Sequence, residues 1–499
     1  MTKINPPFSS SMQNPKSSNF TKDTELRAKE ISAQLIWPIL IKVMICVVPA
    51  MGLVGLGKLF AGGKVFFVFL LIFLAYYVVS GKPLSFFALS ISVLPVLVFL
   101  RDGLFYNSVI AILGLGLALR LFKTPQKFFQ LWNNLLLRWL LVVGVLYWGG
   151  AFILTGGYSS GLMILELGFS AGIVYLLAEQ RRFLSTAFIG AGISLFAIGL
   201  ALLGYGSPRL VEAKIEGVTF GNPINFGIPA AFILLYSMVD DGKWLFLHKS
   251  AISRRLVGGT ALIFLLLSTS RGSWAVACVG VIIMLLFSKV RMKMRILISL
   301  MIMAIFLFSL LLTEKGALIN EWFDKATSDE RSLEQKTTGR FDMWKLFPNV
   351  LKDSPIWGFG PGSGPEVYAT YSMSDPNVHF KPGVKLAWHS LYLHIGVETG
   401  LIGLLLLTVF LASLISKGLV HRRVTGEVGP LLGVPCFMTI GLSVSALDPL
   451  SGLFLGIAFL GNTRAPRVRR PKVWRTQTHR VKTDNPTNFS NSEGKTFFQ

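Results

Sequence analysis

The chain has 499 residues, 52% of them hydrophobic and 15% charged, with 39 phenylalanines. A composition this apolar excludes a soluble globular domain and points to a polytopic membrane protein. The net charge of +23 does not call for a nucleic-acid partner, because Lys and Arg collect in the cytoplasmic loops of membrane proteins and set their topology. Cys46, Cys278 and Cys436 lie in apolar runs without metal-like spacing. They read as small core residues and exclude a disulfide framework.

Residues 1–34 are polar and rich in Ser, Asn and Lys, and no small-residue cleavage signature follows the first apolar run. They form a cytoplasmic tail ahead of a retained first helix. A membrane span needs ~20 apolar residues, with ~17–25 tolerated. By that test fourteen runs qualify, near 35–55, 64–80, 84–100, 104–121, 135–155, 161–178, 184–204, 222–239, 254–270, 272–288, 295–313, 389–416, 428–446 and 449–461. The last two are interrupted by Pro435, Asp448 and Pro449 and either span or re-enter. The expected architecture is all-α, with helices 1–11 over 35–313, one large extracytoplasmic loop over 314–388, C-terminal helices over 389–461 and a basic cytoplasmic tail over 462–499.

Basic residues assign the sides. With the N-terminus inside, the cytoplasmic segments carry Arg120, Lys123, Lys127 and Arg138, then Arg181 and Arg182, Lys243 to Arg255, Lys289 to Arg295, and Lys417 to Arg423, and the tail from Arg464 to Lys495 adds nine more. The loop 314–388 and the short turns at 209–221 and Arg271 are then extracytoplasmic. The polar set on that side comprises Arg209, Asn222, Asn225, Arg271, Arg340, His389 and Tyr392. Its concentration at one face disfavours a transporter or flippase, whose charges and broken helices sit near the bilayer midplane.

Arg271 stands in STSRGSW between two apolar runs with almost no loop, which puts it at the membrane boundary. Its guanidinium suits a phosphate, although a lone interfacial Arg more often snorkels. Arg340, with Phe341 and Trp344, predicts an amphipathic helix on the membrane surface. The glycines and prolines of SPIWGFGPGSGP force turns and shape a pocket wall. Placed on a helix at ~100° per residue, His389 is followed by Tyr392 at i+3 and lies above a stripe of Gly396, Gly400 and Gly403, while His394 and Glu398 point elsewhere. An intramembrane carboxylate costs ~2.5–3.5 kcal/mol on insertion scales, so Glu398 and Glu166 need partners. No HExxH, DxD or His/carboxylate cluster appears, and neither a metal nor a cofactor is expected.

The order SRGSW, GRFDMW, SPIWGFGPGSG and WHSLYLHIGVETGLIGLL, preceded by FGNPINFG at 220–227, resembles the bacterial O-antigen ligase and O-antigen polymerase superfamily over residues 205–416. The chain differs from that pattern at Ser390, where Asn is common, and its fourteen runs exceed the family's usual ~12 spans. A GT-C-like membrane glycosyltransferase of about 12–14 helices is therefore expected. The resemblance implies a periplasm-facing site in the bacterial inner membrane, membrane lipids around it, and transfer of a glycan from an undecaprenyl diphosphate donor to an acceptor hydroxyl by an inverting, metal-independent reaction. The acceptor is lipid A core for a ligase and a lipid-linked glycan for a polymerase, the ligase being favoured. The roles it implies are diphosphate binding for Arg271 and Arg340 and general-base catalysis for His389. Arg209, Asn222, Asn225 and Tyr392 are further possible substrate contacts.

Overall fold

The computed structural model describes residues 121–156, 159–179, 181–204, 214–215, 218–219, 223–240, 251–268, 270–291, 340–376, 380–444 and 447–462, with isolated positions between 84 and 118, 293 and 301, and at 378. They belong to one compact unit, residues 1–463. The first four apolar runs, the run 295–313, most of the loop before Arg340 and both polar tails lie wholly or largely outside the described residues.

The described chain is all-α apart from one small hairpin. A short helix α1 (Pro125–Asn133) precedes α2 (Leu135–Thr155), α3 (Ser159–Glu179) and α4 (Arg181–Gly204). Strands β1 (Lys214–Ile215) and β2 (Val218–Thr219) then pair antiparallel, with Lys214 opposite Thr219. The bundle continues with α5 (Pro223–Met238), α6 (Ala251–Leu267) and α7 (Arg271–Phe287). Beyond the loop come α8 (Arg340–Asp353), α9 (Gly364–Ser374), α10 (Leu391–Thr425), α11 (Gly429–Ser443) and α12 (Pro449–Ala458), which ends in a 3-10 turn.

Local chemistry sets the ends of these helices. Asn134 caps α2 by accepting from Leu137 N–H at 3.2 Å, and α2 stops at Gly156, whose φ of 64° suits glycine. Asp448 caps α12 by accepting from the amides of Leu450 and Ser451 at 2.9 and 3.0 Å. Among the described residues three helices, over 135–155, 161–178 and 391–425, are long and apolar enough to cross a membrane. Helix α2 has 21 residues and so is about 31 Å long, close to the hydrocarbon thickness of a bilayer. Its exposed Leu146, Ile153 and Leu154 form an outward apolar face.

Helix α12 behaves differently, because all ten of its residues are buried. It runs inside the bundle against α3 and α11, so the weak final run is an interior helix and not a lipid-facing span. An aromatic knot binds it there. Phe232 of α5 meets Phe188 of α4 and Phe454 of α12 edge-to-face, both with centroids 4.7 Å apart.

The bundle has two chemically distinct ends. At one, Arg422 donates to the Phe287 carbonyl at 2.8 Å and lies over the Phe287 ring, completing the C-terminus of α7. Asp240 accepts from Val428 and Gly429 amides at 2.9 and 3.1 Å at the start of α11. At the other end, the Leu391 amide that opens α10 donates to Val444 O at 3.0 Å, just past α11. That end carries a cap built from α8, α9 and the segment leading to Trp388. The cap has its own core of Met343, Leu346, Val350, Val367, Tyr368, Val378, Trp388 and Val397.

Candidate functional site at the capped end

Ser270 caps α7 by accepting from Ser273 N–H at 3.3 Å and from the Ser273 hydroxyl at 2.9 Å. Arg271 is therefore the first helical residue and is exposed. Trp274, one turn along, donates from Nε1 to Leu265 O at 2.7 Å and ties α7 back to α6. The FGNPINFG segment packs on the same turn, since a Cβ on Gly227 would lie 2.4 Å from Ser273 Oγ. Asn225 lies in the first turn of α5, whereas Arg209 and Asn222 fall outside the described residues.

Helix α8 opens at Arg340 and buries Asp342, Met343, Leu346 and Val350 toward the cap core. Its outward side carries half-buried Phe341 and exposed Trp344. Burial first, and the nearby charge of Arg271 second, hold the Arg340 guanidinium below its ordinary pKa. It stays cationic at neutral pH. The two guanidinium groups are thus within electrostatic reach of each other. The Arg340 Nε is buried and has no hydrogen-bond partner among the described residues.

His389 is held near Arg340 by its own backbone, its N–H lying 3.5 Å from Met343 Sδ, one turn from Arg340. Burial, then the charge of Arg340, then that of Lys381 lower the imidazole pKa. The ring therefore stays neutral at physiological pH and can accept a proton. The helix begins at Leu391 with Ser390 as its cap residue. His389 thus precedes the helix instead of opening it, and the expected stripe of glycines beneath it does not form. Gly396 instead receives the Phe347 ring of α8, and a Cβ there would lie 2.6 Å from it.

Lys381 is a cation that sequence reasoning passed over. Its φ of 46° is unusual for a residue with a side chain. The turn is pinned on both sides, with Phe380 N–H donating to buried Asp342 at 3.0 Å and Gly383 N–H to Ser372 at 3.0 Å. The Tyr368 hydroxyl donates to Phe380 O. No local signal distinguishes Lys381 from the other basic loop residues, because its position depends on contacts with α8 and α9.

Glycine-rich SPIWGFGPGSG does more than line a wall. At Gly400, φ 64° and ψ −159° break α10, and residues 355–360 fill the gap. Phe359 and Gly360 amides donate to Val397 and Glu398 carbonyls at 2.8 and 3.0 Å, and Leu401 and Ile402 amides donate to Pro355 and Ile356 carbonyls at 2.8 and 3.3 Å. A foreign backbone thus satisfies the groups that the break would orphan. Below the break Leu401, Leu405, Leu406 and Val409 face outward, while exposed Ile356 and Trp357 sit beside it.

Glu398 has the partners that its location requires. It accepts from the Tyr147 hydroxyl of α2 and from Gly364 N–H at 3.1 Å, and His394 Nε2 stands 3.5 Å away. Glu166 is buried as well. Cys436 is buried, but Cys278 is exposed: it lies on the outer side of α7, which corrects its reading as a core residue. Tyr392 donates to Met438 O at 3.1 Å and lines an apolar groove of about 520 Å³ with Val279, Pro435, Met438, Thr439 and Leu442. The groove lies between α7, α10 and α11, the helices that carry or follow Arg271 and His389. Among the described residues no three His, Cys, Asp or Glu side chains converge as metal ligands.

An all-α bundle of apolar helices, with Arg271, Arg340, Lys381 and His389 gathered at its capped end, is a polytopic membrane protein. Residues 256–408 match the family model described as O-antigen ligase. That match spans the segment carrying Arg271, Arg340 and His389, and it supports the O-antigen ligase/polymerase superfamily and glycosyltransferase activity of that general type. No curated protein matches the chain.

Proposed function

We propose that the protein is an O-antigen ligase of the bacterial inner membrane, transferring a glycan from undecaprenyl diphosphate to a hydroxyl of lipid A core at the periplasmic face. The observation that carries this reading is electrostatic. Arg271 acts on Arg340, and Arg340 and Lys381 act on His389, whose N–H lies 3.5 Å from Met343 Sδ, one turn from Arg340, so three cations and one imidazole lie in electrostatic reach along the capped end. Arg271 and Arg340 bind the donor diphosphate, Lys381 adds positive field, and the polyprenyl chain lies in the apolar groove beside Tyr392. The acceptor hydroxyl loses its proton to His389 and its oxygen attacks the anomeric carbon. The bond from that carbon to the diphosphate oxygen breaks, and the departing diphosphate takes the electron pair. Its developing charge is met by preorganised guanidinium groups in a low-dielectric site. Inversion follows from this single displacement.

The test is transfer by the purified full chain with a chelator present, given polyprenyl diphosphate-linked oligosaccharide and lipid A core in one reaction. Glycosylated lipid A core is the expected product. Longer lipid-linked chains would instead make the protein a polymerase, and the absence of both products would refute a metal-independent transferase.

A further inference from the structure

Glu398 lies nine residues beyond His389 and is fully buried. Its carboxylate stands at the head of a short relay. One oxygen accepts from Gly364 N–H at 3.1 Å, and the same glycine's carbonyl accepts from Trp388 Nε1 at 3.0 Å. Trp388, fully buried and edge-on to Phe347 and Tyr368, is joined by one peptide bond to His389. The other carboxylate oxygen accepts from Tyr147, which ties the relay to α2. Gly364 has no room for a side chain, since a Cβ would lie 2.9 Å from the Glu398 oxygen. These contacts fix the plane of the Trp388 ring, and so the direction in which the chain leaves it.

We propose that Glu398 is a positioning residue that sets the orientation of the His389 imidazole through Gly364 and Trp388. The inference rests on the reading of His389 as the base. The relay gives the carboxylate a role beyond bridging helices, because the bonds run in series toward one side chain. It also explains the break at Gly400: the inserted loop delivers Gly364 to Glu398.

The experiment compares Trp388→Phe, which keeps an aromatic ring but removes the indole N–H, with Glu398→Ala, Glu398→Gln and the double variant Trp388→Phe/Glu398→Ala, all as full-length protein in lipid nanodiscs. Small misplacement of a catalytic group can cost ~10²-fold, so kcat should fall at least ~10-fold in Trp388→Phe and Glu398→Ala with donor KM little changed. The double variant should be no worse than the poorer single one, as expected for one relay. Glu398→Gln should be milder, since its amide oxygen still accepts from Gly364 while the Tyr147 hydroxyl turns to accept from its NH₂. A second readout, independent of transfer, is the rate at which diethyl pyrocarbonate modifies His389, followed by peptide mass spectrometry. That rate should change in Trp388→Phe and Glu398→Ala but not at His421, at the opposite end of the bundle. An unchanged His389 rate in folded Trp388→Phe, or losses that multiply independently in the double variant, would overturn the proposal. If His389→Ala transferred at the full rate, the base reading would fail while the modification rate still decided the positioning.

Discussion

Replacing Gly400 with alanine tests whether the cap is locked to the bundle through the broken helix. The backbone at Gly400 has φ 64° and ψ −159°, a region that residues with a side chain occupy at a cost of about 1–3 kcal/mol. Space is lacking as well: the new Cβ would lie 2.3 Å from Ile356 O and 2.7 Å from Gly358 N. Both are backbone atoms that cannot swing aside as a side chain could. Relief requires moving residues 355–360 outward, which disrupts hydrogen bonds such as Leu401 to Pro355 and Ile402 to Ile356. At about 0.5–1.5 kcal/mol net per bond, two lost bonds bring the total to roughly 2–6 kcal/mol. Gly149→Ala is the control, because nothing lies within 4 Å of the added methyl and alanine favours the helix. Thermal unfolding in detergent, together with limited proteolysis between Ser354 and Gly364, should show a clear loss of stability and faster cleavage for Gly400→Ala alone. Equal midpoints and equal cleavage for the two variants would refute the docking of the loop into the break.

Two further outcomes follow from the charges and caps. Lys381→Gln removes one of the cations that depress the His389 pKa; the imidazole then protonates at higher pH, so the acidic limb of kcat/KM moves upward, whereas Lys381→Arg leaves it in place. A limb that stays put in Lys381→Gln would mean that the Lys381 charge does not reach the base. At the basic end, Asp240→Ala removes the acceptor for the amides of Val428 and Gly429 and should lower stability by about 1 kcal/mol. Transfer by the surviving folded protein should be unaffected, measurable as an unchanged specific activity after size-exclusion purification.

Much of the bundle was legible in the sequence because bilayer burial imposes a simple rule on composition. The helix Leu135–Thr155 coincides with its apolar run, and α3, α5, α6 and α7 begin within a few residues of theirs. Glu398 was readable as a residue that needs a partner, since the cost of an intramembrane carboxylate does not depend on the fold. Its partners were not readable, because Tyr147 and Gly364 approach from distant elements. Helical arithmetic failed from His389 onward for two physical reasons. The helix starts two residues later, and a loop from elsewhere in the chain replaces its hydrogen bonds at Gly400, a substitution that hydrophobic periodicity does not record. The burial of α12 was likewise hidden, as an interior helix and a lipid-facing one have the same apolar composition. Lys381 acquires its place from Asp342, Ser372 and Tyr368, none adjacent to it in sequence.

In the proposed mechanism a neutral His389 near Arg340 and Lys381 removes the acceptor proton. The most direct measurement is single-turnover transfer with donor already bound, comparing the wild type with a folded His389→Ala variant of equal donor affinity. Loss of general-base assistance typically slows the chemical step ~10²–10⁴-fold, and that is the result expected here. A His389→Ala rate within a few-fold of the wild type would contradict the account and return the search for the base to the remaining groups of the capped end.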